Sequence, residues 1–275
     1  MKHKIIYIFI VLLFSIFISS CNENFNELKV DVIDVGQGDS ILIITPNKKT
    51  LLVDSGEDEY SRNVIRNLKE NNVKKVDFAL GTHSDSDHIG AMDDVIEEIP
   101  TENIILSKDN NLNKDLKNLF KSAKENNVNI IITEADNTIK IDENVYIHIL
   151  SPSDIKNDPN KNSIVFILEY NNYSLMFTGD ADSEIESAIV GKYSLEHCDF
   201  LKAGHHGSKT SSSKRLIETI RPDITAISCG HNNRYGHPSD ETLKTLKEYN
   251  SKVYRTDLSG TLQFHFTDDG IFISQ

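Results

Sequence analysis

Apolar residues alternate with polar ones from Leu28 to Val35, and the alternation resumes over Ser40–Thr45 after a Gly36-Gln37-Gly38 turn. A period of two marks a strand with one buried face. Thr50–Val53 follows the Asn47-Lys48-Lys49 turn and runs into Asp54-Ser55-Gly56, so the chain opens on hairpin-connected strands. The period then lengthens. Val64, Ile65 and Leu68 share one face of a helix over Tyr60–Asn71, and a strand Val76–Leu80 comes next. Beyond it the pattern predicts a helix from Ile89 to Glu98, strand Asn103–Leu106, helix Asn113–Asn126 and strand Asn129–Thr133. The second half repeats the plan. Strands are expected over Val145–Leu150, Ser163–Tyr170 and Ser174–Phe177, followed by a helix that buries Ile185, Ala188 and Ile189. Strand Asp199–Ala203, helix Ser213–Ile220, strand Asp223–Ser228 and helix Asp240–Tyr249 come next, and Val253–Arg255, Thr261–Phe266 and Ile271–Ser274 close the chain as strands. Sheet-forming segments in both halves, with helices between them, predict two sheets packed face to face with helices outside.

The first twenty residues break this rhythm. Lys2 and Lys4 precede a 14-residue apolar run, Ile5–Ile18, and then Ser19-Ser20-Cys21. A basic start, an apolar stretch and small residues form an export signal, and the run is shorter than the ~20 residues a spanning helix needs. Ile18-Ser19-Ser20-Cys21 resembles a bacterial lipobox. That resemblance implies a signal peptide over residues 1–20 and lipidation of Cys21, where several acyl chains give stable anchoring. Residues 21–26 would be a polar tether and residues 27–275 the folded domain, held at the extracellular face of the cell membrane. Ordinary cleavage with a free Cys21 is the alternative, and either route exports the chain. No other apolar run is long, so no polytopic channel segment is expected.

Charge narrows the partners. Loss of residues 1–20, which carry two lysines and no acid, takes the formal net charge from −13 to −15. Such a chain is ill suited to grip duplex DNA by neutralising phosphates, although a small phosphoester at a metal-neutralised site is not excluded. Cys198 begins one strand and Cys229 ends another, so parallel neighbours would hold them apart and no disulfide is expected.

The densest chemistry lies directly after strand Val76–Leu80. His83, Asp85, Asp87 and His88 put four metal-capable side chains into six residues. Carboxylates and imidazoles this crowded need positive charge between them, which a pair of divalent cations supplies. A solvated acidic turn is the plain alternative, and a single-ion calcium loop is disfavoured further because the D-x-D-x-D-G pattern and a distal bidentate Glu are absent. Asp54, Asp180, His205 and His206 sit at further strand ends, and His237 follows another. In parallel segments those ends meet on one sheet edge, where a rigid scaffold presents catalytic groups.

This set resembles the metallo-β-lactamase fold and, more closely, the hydrolase domain of ComEC-type competence proteins. The resemblance rests on Asp34–Ser40, Leu51–Gly56, Thr82–Gly90, Asn162–Val165, Thr178–Asp180, Gly204–Ser208, Tyr235–Pro238 and Arg255–Gly260. It implies a four-layer αββα sandwich and two divalent ions, zinc or manganese. One ion would be held by His83, Asp85 and His206, the other by Asp87, His88 and His237, with Asp180 bridging. Asp54, Asn162 and His205 would support these ligands from behind. His206 is preferred to His205 because neighbours on an extended segment point opposite ways, and His237 has an alternative role as a phosphate-contacting or proton-donating residue. Asp85 and Asn162 stand where the wider superfamily has histidines, which favours oxygen donors and manganese and weighs against β-lactam hydrolysis.

The activity implied is a metal-dependent phosphoesterase in which Asp87, Asp180 and His206 carry the catalytic centre. Lys209, Arg234, Lys202 and Ser208 are candidates for contact with the phosphoryl group. Ser208 or Thr210 could equally cap the following helix. DNA is the substrate the ComEC resemblance suggests. A cell-surface phosphodiester, phosphocholine-decorated or teichoic in type, is the enzyme alternative, since exported choline-phosphate esterases have a similar site. A catalytically silent surface-binding lipoprotein is the alternative from another class. No protein partner is inferred.

Overall fold

The computed structural model describes residues 26–108 and 112–274. The expected signal segment, Cys21 and all of the tether but Asn26 lie outside the described residues. Among the described residues no helix is long and apolar enough to cross a membrane.

In chain order, β1 (Leu28–Val32), β2 (Ile41–Ile44), β3 (Thr50–Val53), β4 (Val76–Gly81), β5 (Thr101–Ser107) and β6 (Asn129–Thr133) enter the first sheet. Next come β7 (Thr138–Asp142), β8 (Val145–Ser151), β9 (Val165–Tyr170), β10 (Tyr173–Phe177), β11 (Phe200–Lys202), β12 (Ile224–Ile227) and β13 (Lys252–Arg255), which form the second. Finally β14 (Leu262–Thr267) and β15 (Gly270–Ser274) return to the first sheet, whose order is β15-β14-β1-β2-β3-β4-β5-β6.

Alternation determines which face each strand buries. Val30, Val32, Ile41, Ile43, Leu51 and Val53 point toward the second sheet and meet Ile147, Phe166, Leu168, Phe177 and Phe200 in one core. The opposite face, with Leu42, Leu52, Ala79 and Ile104, packs on α1 (Ser61–Glu70), α2 (Ser86–Ile89), α3 (Met92–Glu98) and α4 (Lys114–Glu125). The outer face of the second sheet packs its Leu201, Ala203 and Ile227 on α5 (Ser183–Lys192), α6 (Lys214–Ile220) and α7 (Asp240–Glu248). The architecture is therefore the expected αββα sandwich, with a last short helix, α8 (Thr256–Ser259), before β14.

Two parallel blocks position the chemistry. Strands β3 to β6 run parallel in the first sheet, and β10 to β13 do so in the second. The loops that leave β3, β4, β10, β11 and β12 thus carry Asp54, His83–His88, Asp180, His205–His206 and His237. Because β1 and β2 pair antiparallel, and β2 pairs antiparallel with β3, the turn 33–40 lies at the same edge.

The structure departs from the sequence-based expectation at a helix on this edge and at the outermost strand of the second sheet. The helix expected from Ile89 is two helices, because the Ala91 amide donates to Gly56 O instead of to the helix before it. Asp87 and His88 consequently lie on a helical turn that starts inside the cluster. The strand Thr138–Asp142 went unread because it is an exposed edge strand with only Ile139 and Ile141 facing inward. Cys198 and Cys229 are buried free thiols, as expected.

Phe200, at the start of β11, is fully buried and packed on Phe177, Phe264 and Phe266 at 5.8, 5.0 and 6.0 Å between ring centres. Phe200→Ala should lower unfolding stability by about 3–5 kcal/mol, read from denaturant unfolding. A loss below about 1 kcal/mol would show that the core relaxes into the vacated space.

Candidate metal centre

Three histidines present the same ring nitrogen to a common space, and the groups behind them explain why. His88 Nδ1 lies 2.8 Å from Asp54 Oδ2, so its proton sits there and Nε2 is left free. Thr82 Oγ1 donates to the same carboxylate oxygen at 2.8 Å and can therefore accept from His83 Nδ1 at 3.1 Å. His206 Nδ1 faces Asp39 Oδ1 at 3.3 Å, and Asp39 Oδ2 is held by Lys202 Nζ at 2.7 Å. These tautomers are assigned from the hydrogen-bond network. An acceptor behind each ring is the usual way a ligating imidazole is oriented.

The freed atoms converge. Asp180 Oδ1 is 3.2 Å from His88 Nε2, while Asp87 Oδ2 is 3.3 Å from His206 Nε2. Asp180 Oδ2 lies 3.7 Å from His206 Nε2 and 3.5 Å from His205 Nε2. Donor atoms of His83, His88 and Asp180 lie within 4.8 Å of one another, and so do those of Asp87, His88 and His206. Nε2 of His83, His88 and His206 and Oδ1 of Asp180 are buried without a hydrogen-bond partner. Buried polar atoms are rarely left unsatisfied. Four of them in two overlapping donor groups form the kind of set that divalent ions satisfy. Charge leads to the same conclusion. Asp39, Asp54, Asp87 and Asp180 bring four carboxylates into this cluster, and among the described residues the one buried ammonium, that of Lys202, pairs with Asp39 alone. The residues present thus fit a pair of divalent cations.

Protons balance that charge in the metal-free chain. Burial alone would push the His206 imidazole down, but Asp180, Asp39 and Asp87 pull it up to about 9. His88, opposed by burial yet drawn by Asp180 and Asp54, lies well above its ordinary value. Burial works against ionised Asp180 as well, and His88 and His206 outweigh it, holding the carboxyl well below its usual range. At neutral pH an incoming ion must displace protons from His88 and His206. Calorimetric titration near pH 7 should show a heat that changes with buffer ionisation enthalpy, and affinity should climb as pH approaches 9. A buffer-independent heat would contradict this. Stability has the opposite sign. A histidine raised on folding stabilises the metal-free chain fully below about 6.5, the free value, and that contribution fades as pH rises through 9.

Local backbone strain assembles the cluster. Asp54 has φ +56°, and His205 and His206 have φ +48° and +55° in succession. Such residues cost about 1–3 kcal/mol each and persist where surrounding structure enforces them. The segment 204–207 is a tight turn, not the extended piece expected, so His205 and His206 both reach Asp180. His206 is buried, whereas His205 is partly exposed at the mouth. Gly38 permits the closest approach, since a Cβ there would lie 2.5 Å from the Asp87 carbonyl oxygen. That contact brings the Asp39 amide to Asp87 O at 3.1 Å.

Several sequence-based placements change. His206 falls with Asp87 and His88 instead of with His83 and Asp85. Asp85 is partly exposed and reaches only His83, 3.7 Å away. His237 joins no three-donor cluster; its ring centre lies 5.7 Å from that of His205 and 6.5 Å from that of His206. Asn162 is turned away, its amide spent on the Lys156 backbone at 2.7 and 2.9 Å. Ser163 takes its place, accepting from the Asp180 amide at 3.0 Å and approaching His83 Nδ1 at 3.4 Å. Lys202 cannot meet substrate because it is buried on Asp39. Ser208 is buried with its hydroxyl in a local turn with Thr210, and the helix that follows is capped by Ser213. Lys209 and Arg234 are exposed, Arg234 lying over the Tyr235 ring at 4.9 Å.

Asp39 was given no role from sequence, although an acid directly ahead of the apolar run Ile41–Ile44 signals a buried charge. Lys202 at the end of buried Phe200-Leu201 is the matching signal.

Comparison with known proteins agrees with this geometry. Residues 33–231 match the Metallo-beta-lactamase superfamily. ComE operon protein 3 of Bacillus subtilis is 30% identical over 274 residues, covering 92% of this chain and 35% of its own length. Competence protein ComA of Neisseria gonorrhoeae is 32% identical over 249 residues, covering 90% and 33%. The chain thus spans about a third of these relatives. Among solved structures, CmlA, a diiron beta-hydroxylase from Streptomyces venezuelae, superposes with TM-score 0.58 at 12% identity over 88% of this chain and 54% of its own. At that identity the likeness is one of fold alone.

Proposed function

The chain belongs to the metallo-β-lactamase superfamily as a metal-dependent hydrolase related to competence proteins, and from that membership we propose a dinuclear phosphodiesterase, exported and anchored through Cys21. The observation that carries it is the convergence of three unpartnered imidazole nitrogens and an unpartnered Asp180 oxygen in one buried space. When bound, two divalent cations supply a water activated at neutral pH and a positive clamp on the phosphoryl oxygens. His83, Asp85 and Asp180 would hold one, Asp87, His88 and His206 the other, with Asp180 shared. A donor set this rich in carboxylate favours manganese over zinc.

The chain's own residues do the rest. Asp54, Thr82 and Asp39 keep each imidazole turned with Nε2 forward. Exposed Lys209, three residues after His206, and exposed Arg234, three before His237, would offer positive charge to the substrate's anionic oxygens. The relatives' names place them in competence, which supports single-stranded DNA as a substrate. The acidity of this chain supports a smaller surface phosphodiester instead.

The test sets bis-p-nitrophenyl phosphate, single-stranded DNA and p-nitrophenylphosphocholine side by side with manganese and with zinc. Turnover of the first compound with about two ions per chain is expected. Protein that carries no metal and turns over none of the three would be a silent binder, and the hydrolase reading would fail.

A further inference from the structure

The Gly36-Gln37-Gly38 turn does more than approach the metal loop. Gln37 reaches across to the loop after β12, where its Oε1 accepts from the Gly230 amide at 3.1 Å. A backbone N–H can only donate, so the amide orientation is settled and the Nε2 end of Gln37 must face the other way. That end lies 3.4 Å from His237 Nδ1. Gln37 Nε2 carries only protons to give, so His237 Nδ1 must accept. The His237 proton therefore sits on Nε2.

This is the reverse of the other three rings. His83, His88 and His206 each have an oxygen behind Nδ1 and turn Nε2, the nitrogen a metal would take, to the front without a hydrogen-bond partner. His237 has a donor behind Nδ1 and an N–H in front. A protonated ring nitrogen has no lone pair for a metal. His237 also joins no donor cluster, and its Nε2 makes no hydrogen bond among the described residues. With Nδ1 accepting from Gln37 and the single proton on Nε2, the imidazole is neutral. Its ring stands beside His205 on the open side of the centre and stacks near exposed Tyr235, whose ring centre is 5.8 Å away.

We propose that His237 is a catalytic hydrogen-bond donor, not a metal ligand, and that Gln37 is the positioning residue that holds it in the Nε2–H form. Its target is a non-bridging oxygen of a phosphoester bound at the metal pair, so the inference rests on the phosphodiesterase reading. A neutral N–H aimed at developing negative charge acts without losing its proton, in the manner of an oxyanion-hole donor. Gln37 and His237 come from the two sheets' loops, so the donor is oriented only when both loops are docked.

The experiment uses the full chain loaded with manganese. Long-range nitrogen–proton NMR reports the tautomer of His237, and elemental analysis reports ions per chain. His237→Ala should keep both ions and lose roughly a hundredfold or more in kcat on bis-p-nitrophenyl phosphate. His237→Gln, which can place an amide N–H near the same point, should recover much of that loss. Gln37→Leu should mix the tautomers and lower kcat roughly tenfold at full metal content. Loss of one ion in His237→Ala, or a proton found on Nδ1, overturns the proposal, and so does unchanged kcat with both ions present. If no phosphodiester is turned over by the native chain, the proposed function fails, yet the tautomer and metal content still decide whether His237 is a ligand.

Discussion

Asp180→Ala is expected to remove turnover by about a thousandfold, the equivalent of about 4 kcal/mol of transition-state stabilisation. Asp180 follows β10 and touches His88, His205 and His206 together, so no single neighbour can replace it. Its carboxylate has two oxygens, Oδ1 toward His88 and Oδ2 toward His205 and His206, so it can serve both halves of the centre. Metal content should fall from about two ions toward one or none. The fold should survive, because the residue contributes no apolar packing and its amide contact with Ser163 belongs to the backbone. A circular dichroism spectrum like the parent's and a cooperative melt, at a lower temperature because metal is lost, would establish this. Removing Asp180 also removes a cause of the raised His88 and His206 values. Both imidazoles should then titrate nearer to their ordinary range, which NMR can follow independently of activity. Full activity with two ions retained would end the bridging assignment.

The strands were legible from sequence where apolar and polar residues alternate, as in Leu28–Val32, although the structure also covers the polar face there, and helix α1 was legible from the 3.6-residue spacing of Val64 and Leu68. The edge that carries the chemistry was legible too, because polar donors followed buried strands one after another. Pairing among donors was not. Whether His206 sides with His83 or with Asp87 depends on how the two sheets sit across the core, which no local pattern records. Backbone conformation misled the reading of His205 and His206, since two successive left-handed non-glycine residues are rare and a sequence carries no mark of them. Asn162 illustrates a third limit. Its position in a matching stretch suggested a supporting role, but an amide can satisfy itself on nearby backbone, and here it does so on Lys156.

The buried Lys202–Asp39 pair yields the second large effect. Lys202→Met should cost about 3–5 kcal/mol of stability, because Asp39 would keep its charge in a fully buried place with its cation gone. The double variant Asp39→Asn with Lys202→Met removes both charges and should regain most of that loss, since a pair swapped for neutral groups of similar size is often close to neutral. Metal affinity should not recover in the double variant. His206 Nδ1 would then face an amide instead of a carboxylate, and losing such an outer partner costs about 10–100-fold in affinity. Stability and metal binding are thereby separated, one depending on charge balance and the other on what stands behind His206. Acid sensitivity gives the sign of the same pairing. Burial raises the Asp39 carboxyl, but Lys202 and His206 overcome it and hold the group well below the usual carboxylate range. A carboxyl depressed on folding stabilises the chain above its unfolded value, about 3.9, and that contribution is lost as pH falls through the lower folded value. Lys202→Met leaves burial less opposed, so acid unfolding should begin at a higher pH than in the parent, and the double variant should lack that shift. Equal acid transitions in all three proteins would mean that Lys202 does not hold Asp39 ionised, and the support behind His206 would have to come from elsewhere in the β1–β2 turn.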